Sequence, residues 1–437
     1  MSNTLYCGAG KANITPPAEL IPLLPGLMNA RFSGIVYDEL FVRVIALRSE
    51  ENTVLFVSFD LDKAPNPAES LAAISEKTGI PEKNILFFGV HTHTAPVTSV
   101  RPYEEKNSRT SQSAEIQAAM NAYEALVHER MLSAVESAIN NLEPAKIGWS
   151  TGESYINVNR CQDYTVELPD GTVQHCCSLG VNPTGPVDHT LFVLKAENFD
   201  GKPIAFFVNY AVHCCIMISN NSDGSGKVGI SGDLAGVTSQ LMEEKYGAVS
   251  IWSSGAAGDI NPIMMNQYQY PDPKTGAAME FRVPSAETAL AALKLLSTRH
   301  MADIASVVRK IHCGTTEGSI TAAEDLCRTP GKDSKIYDVK LHPITIGDLV
   351  FCGIGGELYT TLGWAIQKIS PAAHTCIINH DASLLYPSDY VLDDDTIIRC
   401  QQNLPGHFIP GYGKSCILPR YLADALPDTF RQLLTHQ

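Results

Sequence analysis

Residues 84–96 read NILFFGVHTHTAP, and the fold turns on how this stretch is interpreted. The run from Ile85 to Val90 is apolar without alternation, the signature of a strand buried on both faces, as in the parallel part of an α/β sheet. It ends in His91 and His93, with Pro96 just beyond. If the backbone stays extended there, side chains two apart share a face and both imidazoles approach one ligand. If the turn has already begun, the two rings diverge and organise the turn through hydrogen bonds.

Reading outward, the same alternation of strand and helix continues. FVRVIAL (41–47) and TVLFVSFD (53–60) are strands, and NPAESLAAISEKTGI (66–80) is a helix that opens on Pro and Glu and closes on Gly. Residues Ser111 to Asn141 form a long helix with Ile116, Met120, Ala125, Met131, Val135 and Ile139 on its apolar side. TLFVLKAE (190–197), IAFFVNYAV (204–212), the helix GVTSQLMEEKYG (236–247) and the strand VSIWSSG (249–255) make a second block. Further on come a helix PSAETALAALKLLSTRH (284–300), a strand ASVVRKIHCG (305–314), a hairpin ITIGDLVFCGI (344–354) turning at Gly347-Asp348, and a helix ELYTTLGWAIQKI (357–369). The expected class is α/β, with mixed sheets flanked by helices, in a single catalytic unit over residues 1–437 that has room for two lobes. Arg101 to Gln112 and Asn220 to Gly229 read as surface excursions.

The composition narrows the function. The chain has 437 residues, 44% of them hydrophobic, and no apolar run of membrane-spanning length. Its net charge of -15 repels phosphate backbones and anionic lipid headgroups, and no Lys/Arg-rich segment offsets it, so neither nucleic acid nor stable membrane association is expected. GSGKVG (224–229) imitates a phosphate loop, but Asn221 and Val228 occupy positions that the motif reserves for Gly and Ser/Thr. The twelve cysteines, scattered and without a C-x-x-C, read as reduced thiols in a chain with no visible secretory signal, so the expected location is cytoplasmic. The sequence sets no oligomeric state.

The chemistry lies at strand ends. NILFFGV runs into His91 and His93, IAFFVNYAV into His213, VSIWSSG into GAAGDINP (255–262), DLVFCGIGG into Glu357, and TCIIN into HDASLLY with Tyr386. Ligands of open α/β sheets bind outside the carboxyl ends of strands, so these residues can converge. Histidines plus one carboxylate, without thiolate, form a zinc-type donor set, whereas calcium or magnesium would need more carboxylates. Competing roles are ordinary: Asp233 as a helix N-cap, Glu357 as a first-turn acid on a helix dipole, Tyr386 as a packing residue.

Taken together and in order, these segments resemble the neutral/alkaline ceramidase family of zinc-dependent amidases. GAGKANITPP (8–17) resembles the family's opening motif, GVHTHTAP its Thr-His-Thr-His segment, and NVNR (157–160) its Asn-Arg element. NYAVHCC (209–215) with ISGDLAG (230–236), GAAGDINP and GIGGELYTTLG (353–363) resemble four further family stretches. The resemblance implies zinc ligands at His91, His213, Glu357 and Tyr386, the last carried by YPSDY (386–390), in which Tyr390 is the alternative. It implies catalytic roles for His93 and Arg160.

Two departures stand out. The family's serine in Gly-Asp-Val-Ser-Pro is Asn261 here, and an amide side chain cannot replace a hydroxyl as acyl acceptor. The opening Asp is Asn13. The length also leaves no room for the immunoglobulin-like C-terminal domain and signal peptide of secreted members, which points away from a lipid-embedded substrate. The reading is therefore a Zn2+-dependent hydrolase of a small acyl-amide or lactam, acting through activated water, with Asn261 as a neutral hydrogen-bond donor. An ester or lactone hydrolase and a non-catalytic small-molecule binder are the alternatives.

Overall fold

The computed structural model describes residues 4–27, 30–50, 52–98, 112–218, 220, 226–265, 267–272, 274–275, 278–282, 285–330, 336–381, 390–396 and 422–435. Its largest sheet has eight strands: β1 (Tyr6–Asn13), β2 (Phe41–Arg48), β3 (Thr53–Phe59), β4 (Ile85–Gly89), β5 (Glu143–Glu153), β6 (Thr190–Asn198), β7 (Pro203–Tyr210) and β8 (Val249–Ser254). Their spatial order is β8-β7-β6-β5-β1-β2-β3-β4. The sheet curls, so that Ser58 Oγ of β3 reaches Trp252 O of β8, near the opposite edge, at 3.4 Å.

A smaller sheet closes against the inner face: β9 (Ile320–Ala322), β10 (Asp325–Pro330), β11 (Ile336–Ile346), β12 (Leu349–Ile354) and β13 (His374–Ile378). Phe56, Phe207 and Phe351, from β3, β7 and β12, pack edge to edge with ring centroids 5.0–5.3 Å apart and fasten the two sheets together. The hairpin between β11 and β12 turns at Gly347-Asp348, with Gly347 at φ 59, as its sequence predicts.

Helices cover the outer face in two groups. α1 (Pro67–Thr78) and α2 (Ala114–Asn140) share one core cluster with β1–β4, while α3 (Asp233–Tyr246) and α4 (Ala286–Val308) share another with β6–β8. The side chain of Ser113 caps α2 by accepting from Ile116 N. Gly8 and Gly10 let α2 lie directly on β1, because a Cβ at either position would fall on the carbonyl oxygens of Ala138 and Ala134. α5 (Thr360–Ile369) and α6 (Leu422–Thr435) pack on the smaller sheet.

One expectation fails. ASVVRKIHCG is not a strand, since α4 runs on through Val308 and residues 309–314 belong to no strand or helix. Val307, on the last turn of α4, and Ile311, just beyond it, are instead buried in the core under β6–β8, which satisfies the β-branched residues that suggested a strand. The apolar side of α2 also differs in detail, with Tyr123, Val127 and Ala134 buried beside Met120, Met131 and Val135. The excursion Arg101 to Gln112 lies almost wholly outside the described residues, as does the middle of Asn220 to Gly229. Among the described residues no helix is long and apolar enough to cross a membrane.

For the site, what matters is three parallel strand pairs, each joined through a helix: β3–α1–β4, β7–α3–β8 and β12–α5–β13. The chain leaves five of these strand ends carrying His91, His213, Asn261, Glu357 and His380.

Candidate active site

Short backbone bonds tie the loops beyond these strands together. Thr92 and Cys214 form an isolated parallel bridge, and His93 N donates to Cys214 O at 3.1 Å, which brings the two histidine loops side by side. His213 N donates to Ile260 O, and Gly258 N donates to Leu358 O, so the GAAGDINP loop touches both the His213 and Glu357 loops. Glu357 pairs in register with Tyr390 through a two-residue parallel ladder, and His380 N donates to Gly356 O.

The result is a buried cluster of nitrogen and oxygen donors. His213 Nε2 lies 2.9 Å from Glu357 Oε2, and His91 Nε2 lies 3.4 Å from Glu357 Oε1. His93 Nε2 is 3.1 Å from His91 Nε2. Potential ligand atoms of His91, His93 and His213 fall within 4.8 Å of one another, as do those of His91, Glu357 and His380. Tyr390 places its hydroxyl 3.4 Å from His213 Nε2. Tyr386 lies outside the described residues.

The three rings are held differently. His91 Nδ1 lies 2.7 Å from Asp62 Oδ1, and His213 Nδ1 lies 3.0 Å from Ile260 O, so both rings have the far nitrogen occupied and Nε2 turned inward. That is how proteins orient metal-binding imidazoles. His93 Nδ1 is buried with no hydrogen-bond partner among the described residues, so His93 lacks this support. His91 also adopts φ 64, a left-handed conformation that few non-glycine residues take outside functional sites.

Charges follow from this packing. Burial disfavours a charged His91, but Glu357 and Asp62 outweigh it and lift the ring to about 9. Burial, then Arg160, brings His213 down to about 4 despite Glu357. Burial and the neighbouring His91 push His93 and His380 well below the usual histidine range. Burial opposes the Glu357 carboxylate, yet His91 and His213 hold it well below the usual carboxylate range. Three of the four rings are thus in the neutral, lone-pair-bearing form that metal binding requires. Among the described residues no salt bridge joins Glu357 to a lysine or arginine, although the buried Arg160 guanidinium lies close enough to act on both Glu357 and His213. The donors fit a borderline divalent metal of the zinc type.

Beside the cluster, Arg160 Nη1 donates to Asn261 Oδ1 at 3.3 Å, and Arg160 Nη2 donates to Gly258 O. Its guanidinium carbon sits 5.3 Å from the Tyr390 ring centre. Asn261 is buried, and its Nδ2 donates to Met265 Sδ at 2.9 Å, a weak acceptor. Asp233 is no N-cap: Gly232 occupies that position, and the Asp233 carboxylate accepts from Met217 N and Leu234 N, pinning the loop that follows His213. Sequence reasoning missed Asp62, although it follows β3 just as His91 follows β4, and gave His380 no role.

The family model described as neutral/alkaline non-lysosomal ceramidase, N-terminal, matches residues 6–333. Neutral ceramidase B of Dictyostelium discoideum is 26% identical over 282 residues, which is 58% of this chain but 35% of that protein's length. The crystal structure of neutral ceramidase from Pseudomonas aeruginosa superposes with a TM-score of 0.67 at 14% identity, covering 99% of this chain and 75% of that one. A ceramidase complexed with C2 superposes with a TM-score of 0.69 at the same identity and coverage. At 14% identity the two structural matches establish the fold.

Proposed function

Because the chain belongs to the neutral/alkaline non-lysosomal ceramidase family, whose members are hydrolases of amide bonds, we propose that it is a zinc-dependent hydrolase of the C–N bond of a small acyl-amide or lactam. The observation that carries this reading is the meeting of His91 and His213 on the two oxygens of Glu357, each ring with its Nδ1 tied off. His91, His213 and Glu357 hold the metal. Of the two candidate tyrosines we favour Tyr390, because its hydroxyl lies beside His213 Nε2.

When bound, zinc supplies Lewis acidity, acidifying a water toward a pKa of about 7 and polarising the acyl carbonyl. Water, not a side chain, accepts the acyl group, since Asn261 has no nucleophilic oxygen. His93, whose ring stands beside His91, takes a proton and passes it to the leaving nitrogen. Arg160 is fixed through Gly258 and Asn261 and orients the substrate's carbonyl end. Asn261 Nδ2 can exchange its thioether acceptor for a developing oxyanion, a better one. We further propose a cytoplasmic location, in keeping with twelve scattered cysteines that form no C-x-x-C pattern.

The test is turnover by zinc-loaded and chelator-stripped protein on matched amides, lactams, esters and lactones. Zinc-dependent cleavage of an amide or lactam is expected. Cleavage of esters and lactones alone would replace the amidase reading with its ester-hydrolysing neighbour, and no turnover across the panel would overturn both.

A further inference from the structure

His380 stands apart from the residues assigned so far. It follows β13, and its ring stacks on His91 with centroids 4.0 Å apart and planes 17° from parallel. It is 7% exposed, so its ring sits inside the cluster. An imidazole this deep needs polar partners, and this one faces a carboxylate and a second imidazole.

The backbone is strained to put it there. His380 has φ 64, and it shares with His91 a left-handed conformation found at four non-glycine residues of the described chain. Such conformations cost about 1–3 kcal/mol and persist only where neighbours fix them. The neighbours do so here: His380 N donates to Gly356 O at 3.1 Å, and Asp381 N donates to Ile354 O at 3.0 Å. The Asp381 carboxylate then accepts from Phe87 N and meets His342 Nδ1. One side of this turn is bolted to β4, β11 and β12, and the other side delivers a ring to the metal cavity.

We propose that His380 is a further metal-ligating residue, giving this chain a set of three histidines, His91, His213 and His380, with Glu357. Its ligand atom lies within 4.8 Å of those of His91 and Glu357, near the separation of at most about 4.4 Å that two donors at about 2.0–2.2 Å from one zinc can have. With Tyr390 a hydrogen-bond partner of His213 rather than a ligand, these four protein donors still leave a position for water in the five-coordinate shell that zinc can adopt. Nitrogen-rich ligation of this kind selects zinc, cobalt or nickel over magnesium and calcium.

The inference rests on the reading that the cavity holds a metal, and cobalt(II) separates the two. The full chain is stripped of metal and titrated with cobalt(II), following the visible d–d absorption and competing with a chelator for affinity. His380→Asn and His380→Gly are compared with wild type, because both tolerate a positive φ and preserve the turn. Expected are one cobalt per wild-type chain, affinity at least about 100-fold weaker in either variant, above the 10–100-fold typical of outer partners, and an altered d–d band. Free imidazole added to His380→Gly restores the wild-type spectrum. If both variants bind cobalt within 10-fold of wild type with an unchanged band, His380 merely stacks on His91 and this inference falls alone. If wild type binds no cobalt, the metal reading falls and takes the inference with it.

Discussion

Two buried histidine–carboxylate clusters meet at consecutive residues, His380 and Asp381, and they are built to opposite ends. In the first, Asp381 Oδ2 lies 2.9 Å from His342 Nδ1 and 3.4 Å from Lys340 Nζ, while His342 Nε2 lies 2.7 Å from Lys83 O. Every donor faces an acceptor, and Lys340 brings a permanent positive charge. In the second, Glu357 meets His213 at the same 2.9 Å, but around it stand His91, His93 and His380, and among the described residues no lysine or arginine forms a salt bridge with the carboxylate. The first cluster is complete as protein. In the second, the charge that directly faces Glu357 is a removable proton on His91, which a divalent cation can replace. Similar residues at similar distances can therefore be sorted into structural and ligand-binding clusters by asking whether the facing positive charge is permanent or removable.

The largest effect expected from breaking this contrast is at Glu357. Glu357→Gln keeps the shape but removes the only anion that both His91 and His213 face. Zinc affinity is expected to fall at least about 1,000-fold, beyond the range for outer partners, with loss of amide turnover. Metal analysis after dialysis checks it, and a variant that retains one zinc per chain would end the assignment. In the balanced cluster the effect should appear in stability instead. Asp381→Asn leaves Lys340 and His342 without their buried acceptor and is expected to cost about 3–5 kcal/mol. Burial opposes the Asp381 carboxylate, but Lys340 and His342 hold it well below the ordinary range. Because the folded pKa lies below the unfolded value, this contribution is complete above about pH 4 and fades as pH falls through the folded value. Urea midpoints measured from neutral to acid pH should show the gap between wild type and variant narrowing below about pH 4.

How far the sequence foretold these clusters follows from what each signal records. The buried strands β3, β4, β7, β8 and β12 are legible because unalternating apolar runs of strand length admit few other readings. The residues at their carboxyl ends, His91, His213 and Glu357, are legible for the same reason. The distinction between His91 and His93 is only partly so. Their unequal support depends on Asp62, brought next to His91 by the parallel pairing of β3 and β4, and no local pattern encodes which ring that carboxylate reaches. The strand expected at ASVVRKIHCG was lost to tertiary packing, because the core under β6–β8 accepts Val307 from a helix and Ile311 from just beyond it. His380 could not be found from pattern, since its role depends on a left-handed turn and on an anchor, Asp381, whose partners lie 39 and 294 residues away.

Smaller effects probe the second cluster from within. Asp62→Asn keeps the size of the group near His91 Nδ1 but removes its charge, and zinc affinity is expected to fall about 10–100-fold, measured by chelator competition. His93 should give the smallest change in affinity. Its Nε2 lies as close to His91 as a ligand's would, so proximity alone would put it in the metal's shell. Yet its ring is partly exposed where those of His91 and His213 are buried, which suits a group that must reach the substrate rather than one held inside the metal's shell. His93→Gln, which can still offer a hydrogen bond, is therefore expected to change zinc affinity by less than about 10-fold while lowering kcat by the 100–10,000-fold typical of a lost proton-transfer group, with KM little altered. A loss of zinc equal to that in Glu357→Gln would instead place His93 among the ligands. The unequal support of the rings would then no longer distinguish the group that holds the metal from the group that moves the proton.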